Sequence, residues 1–157
     1  MQGVDAMIVF IGCVKNKKSY PTKAEYLYDS QFFKKCLEYA RSLNPDTIYI
    51  LSAKYGVVDL NDVIEPYDRT LNAMTKVERI EWSDMVHDQL VDLNIDFHQP
   101  AVWLCGTRYR TDLIKYFPES TCPFEGLGIG YQLSFMTSRL SHTPPIEDDV
   151  CHVENLW

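Results

Sequence analysis

No apolar run in the chain approaches the ~20 residues that a membrane-spanning helix needs; the longest, such as Met7–Ile11, have the length of a strand. The opening residues, MQGVDAMIVFIGC, carry no basic segment ahead of their apolar stretch and are not expected to form a secretory leader. A cytoplasmic protein without a membrane partner is therefore expected. Cysteine is scattered and odd in number: Cys13, Cys36, Cys105, Cys122 and Cys151 include no C-x-x-C pair. That spacing suits neither a disulfide framework nor a zinc site. His87 and His98 stand alone, so no metal site is expected, and no cofactor-binding pattern is present. Neither a Walker lysine nor a G-x-G-x-x-G directly after a strand occurs. Gly126, Gly128 and Gly130 do precede a helical pattern, but close helix packing is their expected use. Net positive charge is missing too. A formal charge of −7, from 15 basic and 22 acidic residues, argues against a surface coated for nucleic acid. The imbalance is uneven, however: the first sixty residues are slightly basic and the rest strongly acidic, which leaves room for a local cationic groove.

What is present is an ordinary globular composition, 46% apolar and 24% charged, in 157 residues. It suits a single α/β domain over residues 1–140, followed by an acidic, Pro-containing extension over 141–157. Ala6–Ile11 reads as a strand buried on both faces, followed by the basic loop Val14–Ser19. Ser30 is placed to cap a helix whose core face is Phe33, Cys36, Leu37 and Ala40, ending near Leu43-Asn44-Pro45. Thr47–Leu51 is a second strand, expected to run parallel to the first after a crossover of this length. Thr75 and Glu78 fit a capping box at the head of a helix with Trp82, Met85, Val86, Leu90 and Leu93 on its apolar stripe. Ala101–Leu104 is a third strand. Leu113, Ile114 and Phe117 suggest a short helix stopped by Pro118, and Ile129, Leu133, Met136 and Leu140 recur at helical spacing. Short apolar strands alternating with helices predict a three-layer α/β domain with a mainly parallel central sheet and helices on both faces.

The most informative stretch is residues 48–71, IYILSAKYGVVDLNDVIEPYDRTL. A buried strand stops at Ser52-Ala53, and Lys54, Tyr55 and Gly56 appear together. A second polar cluster, Glu65-Pro66-Tyr67-Asp68-Arg69, comes next within the same loop. Taken singly, each residue has an ordinary use: a tyrosine capping the core, a turn glycine, a solvated lysine. As a group they sit where open α/β sheets bind ligands, beyond the carboxyl ends of the strands. The other strand ends should add Cys13 and Lys15, and Gly106, Arg108 and Arg110, to the same rim. The expected pocket is cationic and aromatic-walled, suited to stacking a base and gripping a phosphate. Asp68 and Glu65 are its carboxylates, available as general base or as stabilisers of a cationic transition state.

The run LSAKYGVVDLNDVIEPYDRTL, with Cys13-x-Lys15 after the first strand, Leu27-Tyr28-Asp29-Ser30 before the first helix and Pro66-Tyr67 beyond the Lys-Tyr-Gly loop, resembles a small uncharacterised bacterial and phage domain. That domain is distantly similar to the YaaA peroxide-stress family, and the likeness spans roughly residues 6–140. It implies handling of nucleic acid: DNA binding and protection from oxidative damage in YaaA-like proteins, base modification or base excision in related phage domains.

One reading is thus an enzyme acting on a nucleobase or its N-glycosidic bond, in DNA, RNA or a free nucleotide. In it Tyr55 and Tyr67 stack on the base, Lys15, Lys54 and Arg108 hold phosphate, and Asp68 or Glu65 activates water. Tyr28, Ser52 and Gly56 complete the binding set. A second reading is a non-catalytic protein that sequesters a nucleotide or nucleic acid, in DNA protection, stress response or phage–host conflict. A third is thiol chemistry at Cys13, beside the cation of Lys15.

Overall fold

The architecture, a computed structural model, describes residues 6–141. The expected extension, with His142, Cys151 and His152, lies outside the described residues apart from Ser141. Strand β1 (Ile8–Gly12) is buried at every position, as its unbroken apolar sequence requires. Next come β2 (Thr22–Lys23), α1 (Ala24–Leu27), α2 (Gln31–Ser42), β3 (Thr47–Ser52), β4 (Gly56–Asp59) and β5 (Val63–Ile64). The second half holds α3 (Lys76–Asp92), β6 (Ala101–Leu104), α4 (Thr107–Arg110), β7 (Ser120–Thr121) and α5 (Ile129–Ser141), with short 3-10 turns at Leu71–Ala73 and Ile114–Tyr116.

The central sheet has the order β4-β3-β1-β6-β7. β1 pairs in parallel with β3 and with β6, β6 in parallel with β7, and β4 runs antiparallel to β3. The crossover from β1 to β3 moves one way across the sheet, and that from β3 to β6 moves the other. Right-handed crossovers in opposite directions put their helices on opposite faces, which gives the three-layer α/β fold. Phe10, Tyr49 and Trp103 are register partners on one face, where Phe10 stacks on Trp103 and Phe117 packs edge-on to both.

The caps are those the sequence predicts. Ser30 accepts from Phe33 N at 3.0 Å, and Thr75 and Glu78 form a reciprocal capping box. Three sequence expectations are corrected. The segment after Ser52 is no long loop, because Gly56–Asp59 returns along β3 as an edge strand and Val63–Ile64 pairs with β2. Met85 and Leu93 are exposed, and Ser83 takes a place on the buried face of α3, because the helix presents Trp82, Ser83, Val86 and Leu90 to the core. Leu113 and Phe117 are buried, but between them the chain makes only a 3-10 turn, closed by the Ile114 carbonyl receiving Phe117 N.

Candidate functional site

With β3 on one side of β1 and β6 on the other, the carboxyl end of β1 is a topological switch point, where doubly wound sheets leave a crevice. β3 ends there at Ser52, whose hydroxyl shapes the turn into β4. Its Oγ accepts from Tyr55 N at 2.9 Å and from Lys54 N at 3.2 Å, an ST-type turn that folds the chain back along β3. The same hydroxyl donates to Tyr67 Oη at 2.8 Å. Tyr67 Oη lies 2.7 Å from Tyr28 Oη, in a hydrogen bond that either phenol can donate. The result is a hydrogen-bonded chain linking backbone amides, Ser52, Tyr67 and Tyr28. Tyr55 and Tyr28 both meet the Tyr67 ring edge-on.

The cation over this cluster is Lys17. Its Nζ lies 4.4 Å from the Tyr67 ring centroid and 5.7 Å from that of Tyr28, and donates to Val14 O at 2.8 Å and Lys15 O at 3.2 Å. Burial pushes its pKa below the ordinary lysine value, with Cys13 and Asp68 pulling the other way. Burial also raises the pKa values of Tyr28 and Tyr67 above the usual tyrosine value, which keeps both phenols protonated at neutral pH.

Tyr28, Ser52, Tyr55, Tyr67 and, through its charge, Asp68 are thus brought together. Lys15 is exposed and offers the cluster only its carbonyl, by way of Lys17. Lys54 is exposed, with Nζ 5.1 Å from the Tyr55 ring centroid. Glu65 is exposed beyond β5. Asp68 is exposed as well and lines a shallow depression with Arg69, Thr70, Met74 and Glu78. Cys13 is 2% exposed, its Sγ 3.2 Å from Tyr109 Oη. A thiol sealed in this way forms part of the wall, without the access that a nucleophile needs.

Gly56 has φ +78°, and a Cβ there would run into the Gln89 side chain. Gln89 occupies that space because its Oε1 accepts from Val57 N at 2.8 Å and its Nε2 donates to Tyr55 O at 3.0 Å. Gly56 therefore seats the Tyr55 turn on α3. Trp82, also on α3, donates from its indole to Ser52 O at 2.9 Å. Gly106, Arg108 and Arg110 line a cavity whose lining includes Tyr109 but not Lys15, Tyr28, Lys54 or Tyr67. The residues expected on a single rim therefore fall into two groups.

Lys17, Trp82 and Gln89 are the residues of the cluster and its support that sequence reasoning missed, whereas Tyr109 belongs to the charged and aromatic run expected beyond the third strand. Lys17 stood in the recognised basic loop. Its selection over Lys15 depends on an isolated antiparallel bridge between Lys17 and Tyr28, which no local pattern announces. Among the described residues, no group of three or more His, Cys, Asp or Glu side chains could hold a metal ion, and no helix is long and apolar enough to cross a membrane.

Fold and site together define a three-layer α/β protein with a lysine-capped tyrosine cluster at the switch point of its sheet. Residues 8–138 match the model of a family of unknown function (DUF6884), and the chain belongs to that family. No curated protein and no solved structure matches it. The family found carries no link to YaaA, so that part of the sequence resemblance gains no support.

Proposed function

We propose that this protein acts on a nucleobase or its N-glycosidic bond, in a nucleic acid or a nucleotide, at the Tyr28–Ser52–Tyr67–Lys17 cluster. The observation that carries the reading is the convergence of aromatic faces, a hydrogen-bonded phenol chain and a half-buried ammonium at the carboxyl edge of a parallel sheet. A base has a π-face to stack and polar edges to read, and enzymes that alter one enclose it in an aromatic pocket. Tyr55 offers a partly exposed ring and Lys54 a cation beside it. Asp68, whose charge favours the Lys17 ammonium, is in this reading the carboxylate that activates water or stabilises an oxocarbenium-like sugar.

The test is mass spectrometry of nucleosides and free bases after incubating the protein with DNA, RNA and nucleotide pools that include modified bases. Release or alteration of one base by the wild type, abolished in Asp68→Asn with folding unchanged, supports the reading. Retention of a ligand with no chemical change in any pool replaces it with a sequestering protein that uses the same residues.

A further inference from the structure

A cavity of about 670 Å³ opens between α4 and the start of α5, with Tyr109 in its lining. That volume is within the range of sites that enclose a small molecule. Its lining includes Arg108 and Arg110 but no aspartate or glutamate, in a chain that carries 22 acidic residues. Arg110 is buried, and its Nη1 donates to Cys105 O at 3.0 Å; the largely exposed Glu125 stands 3.7 Å from its Nη2, outside the lining. Arg108 is exposed, its Nη1 donating to Asn72 O at 3.1 Å and approaching Asn72 Oδ1 at 3.4 Å. Arg110 is thus fixed by burial and Arg108 tethered to Asn72, and their planar forks match the oxygens of a phosphate. Gly128 and Ile129, where α5 begins, line the same space, so the positive end of that helix adds to the field.

We propose that this cavity is an anion subsite that takes the phosphate monoester of a nucleotide or of a nucleic-acid end. The inference rests on the base-directed reading for the rest of the ligand, but not for the anion itself. Tyr109 connects the two places: it lines the cavity while its hydroxyl touches Cys13 at the end of β1. A phosphate held here directs the attached nucleoside toward the tyrosine cluster.

The experiment is calorimetric titration of the full chain with inorganic pyrophosphate, a nucleoside and its monophosphate, and an oligonucleotide with or without a 5′-phosphate. The variants are Arg108→Ala and Gly128→Asp. The second brings a carboxylate into the cavity, yet an added Cβ there meets nothing within 4 Å, and Asp directly before a helix is a favourable cap, so folding is retained. Pyrophosphate binding weakened about tenfold in both variants, and weakened by salt, is the expected result. Preference for the 5′-phosphorylated oligonucleotide then identifies a nucleic-acid end, and preference for the monophosphate a free nucleotide. Absence of binding by any phosphate compound at millimolar concentration, or binding indifferent to both variants, overturns the subsite. A nucleoside bound as tightly as its monophosphate also overturns it and leaves the base-directed reading standing. Pyrophosphate binding lost in both variants, with no base altered in any pool, removes that reading and keeps the subsite.

Discussion

The hydroxyl of Tyr67 accepts from Ser52 and bonds Tyr28, so its removal leaves two polar groups short of a partner while the ring stays packed. Tyr67→Phe should destabilise the fold by about 1–2 kcal/mol, read as a lowered denaturant midpoint. Lys17 gives a second handle. Its ammonium is held by two carbonyls and two ring faces, and burial lowers its pKa. Anionic ligands that depend on that charge should therefore bind more weakly as pH rises, with the loss beginning below the ordinary lysine range. Lys17→Met should flatten that part of the profile in a titration against pH. Tyr55, Tyr67 and Asp68 were legible because they come after a strand in one conspicuous run. Lys17 was not, because three lysines stand within four positions of the basic loop and only the Lys17–Tyr28 bridge selects one of them.

At the scale of elements, the site depends on α3 more than its sequence suggests. Gln89 holds the backbone on both sides of Gly56, and Trp82 holds the end of β3. Gly56→Ala must adopt φ near +78° and displace Gln89 from both of its hydrogen bonds. A loss of about 2 kcal/mol or more is expected, with disturbed Tyr55 signals in an NMR spectrum. A substitution of the opposite sign is Ser134→Ala in α5, where the hydroxyl is buried without a hydrogen-bond partner. That change should raise stability by about 0.5 kcal/mol or leave it unchanged in thermal unfolding. Helix starts were readable because a cap is a local signal, as at Ser30 and Thr75. The edge strand β4 was hidden because its few residues pair with β3 through a turn that one serine hydroxyl shapes, and turns of that kind carry little periodicity.

Across the whole molecule, buried phenols and thiols set the response to alkali. Burial raises the pKa values of Tyr28, Tyr67, Tyr109, Cys36 and Cys105 above their unfolded values. A raised acid binds its proton more tightly in the folded state. The stability this contributes is complete below the unfolded pKa values, about 8.5–10, and is lost progressively as pH rises through and beyond them. Lys17 acts in the opposite sense, gaining stability between its lowered pKa and 10.5, but it is one group against five. Cooperative unfolding above about pH 10 is expected, tracking tyrosinate absorbance and shallower in Tyr67→Phe. The alternation of strands and helices specified the layers, since β1, β3 and β6 each read as an apolar run. The division of the expected rim residues into two groups could not be read from the order of elements, because it depends on which side chains line the cavity with Arg108 and Arg110.

The phenol chain at the carboxyl ends of β1 and β3 is, on the proposed reading, the working part of the protein. The most direct measurement is the rate of base release or alteration by wild type and Tyr67→Phe on the same substrate, at a temperature where circular dichroism shows both folded. A fall of at least about tenfold is expected in the variant, from the loss of the hydrogen bonds to Ser52 and Tyr28 that hold the Tyr67 ring in the cluster. An undiminished rate in a folded Tyr67→Phe protein would contradict that role and move the chemistry away from the tyrosine cluster.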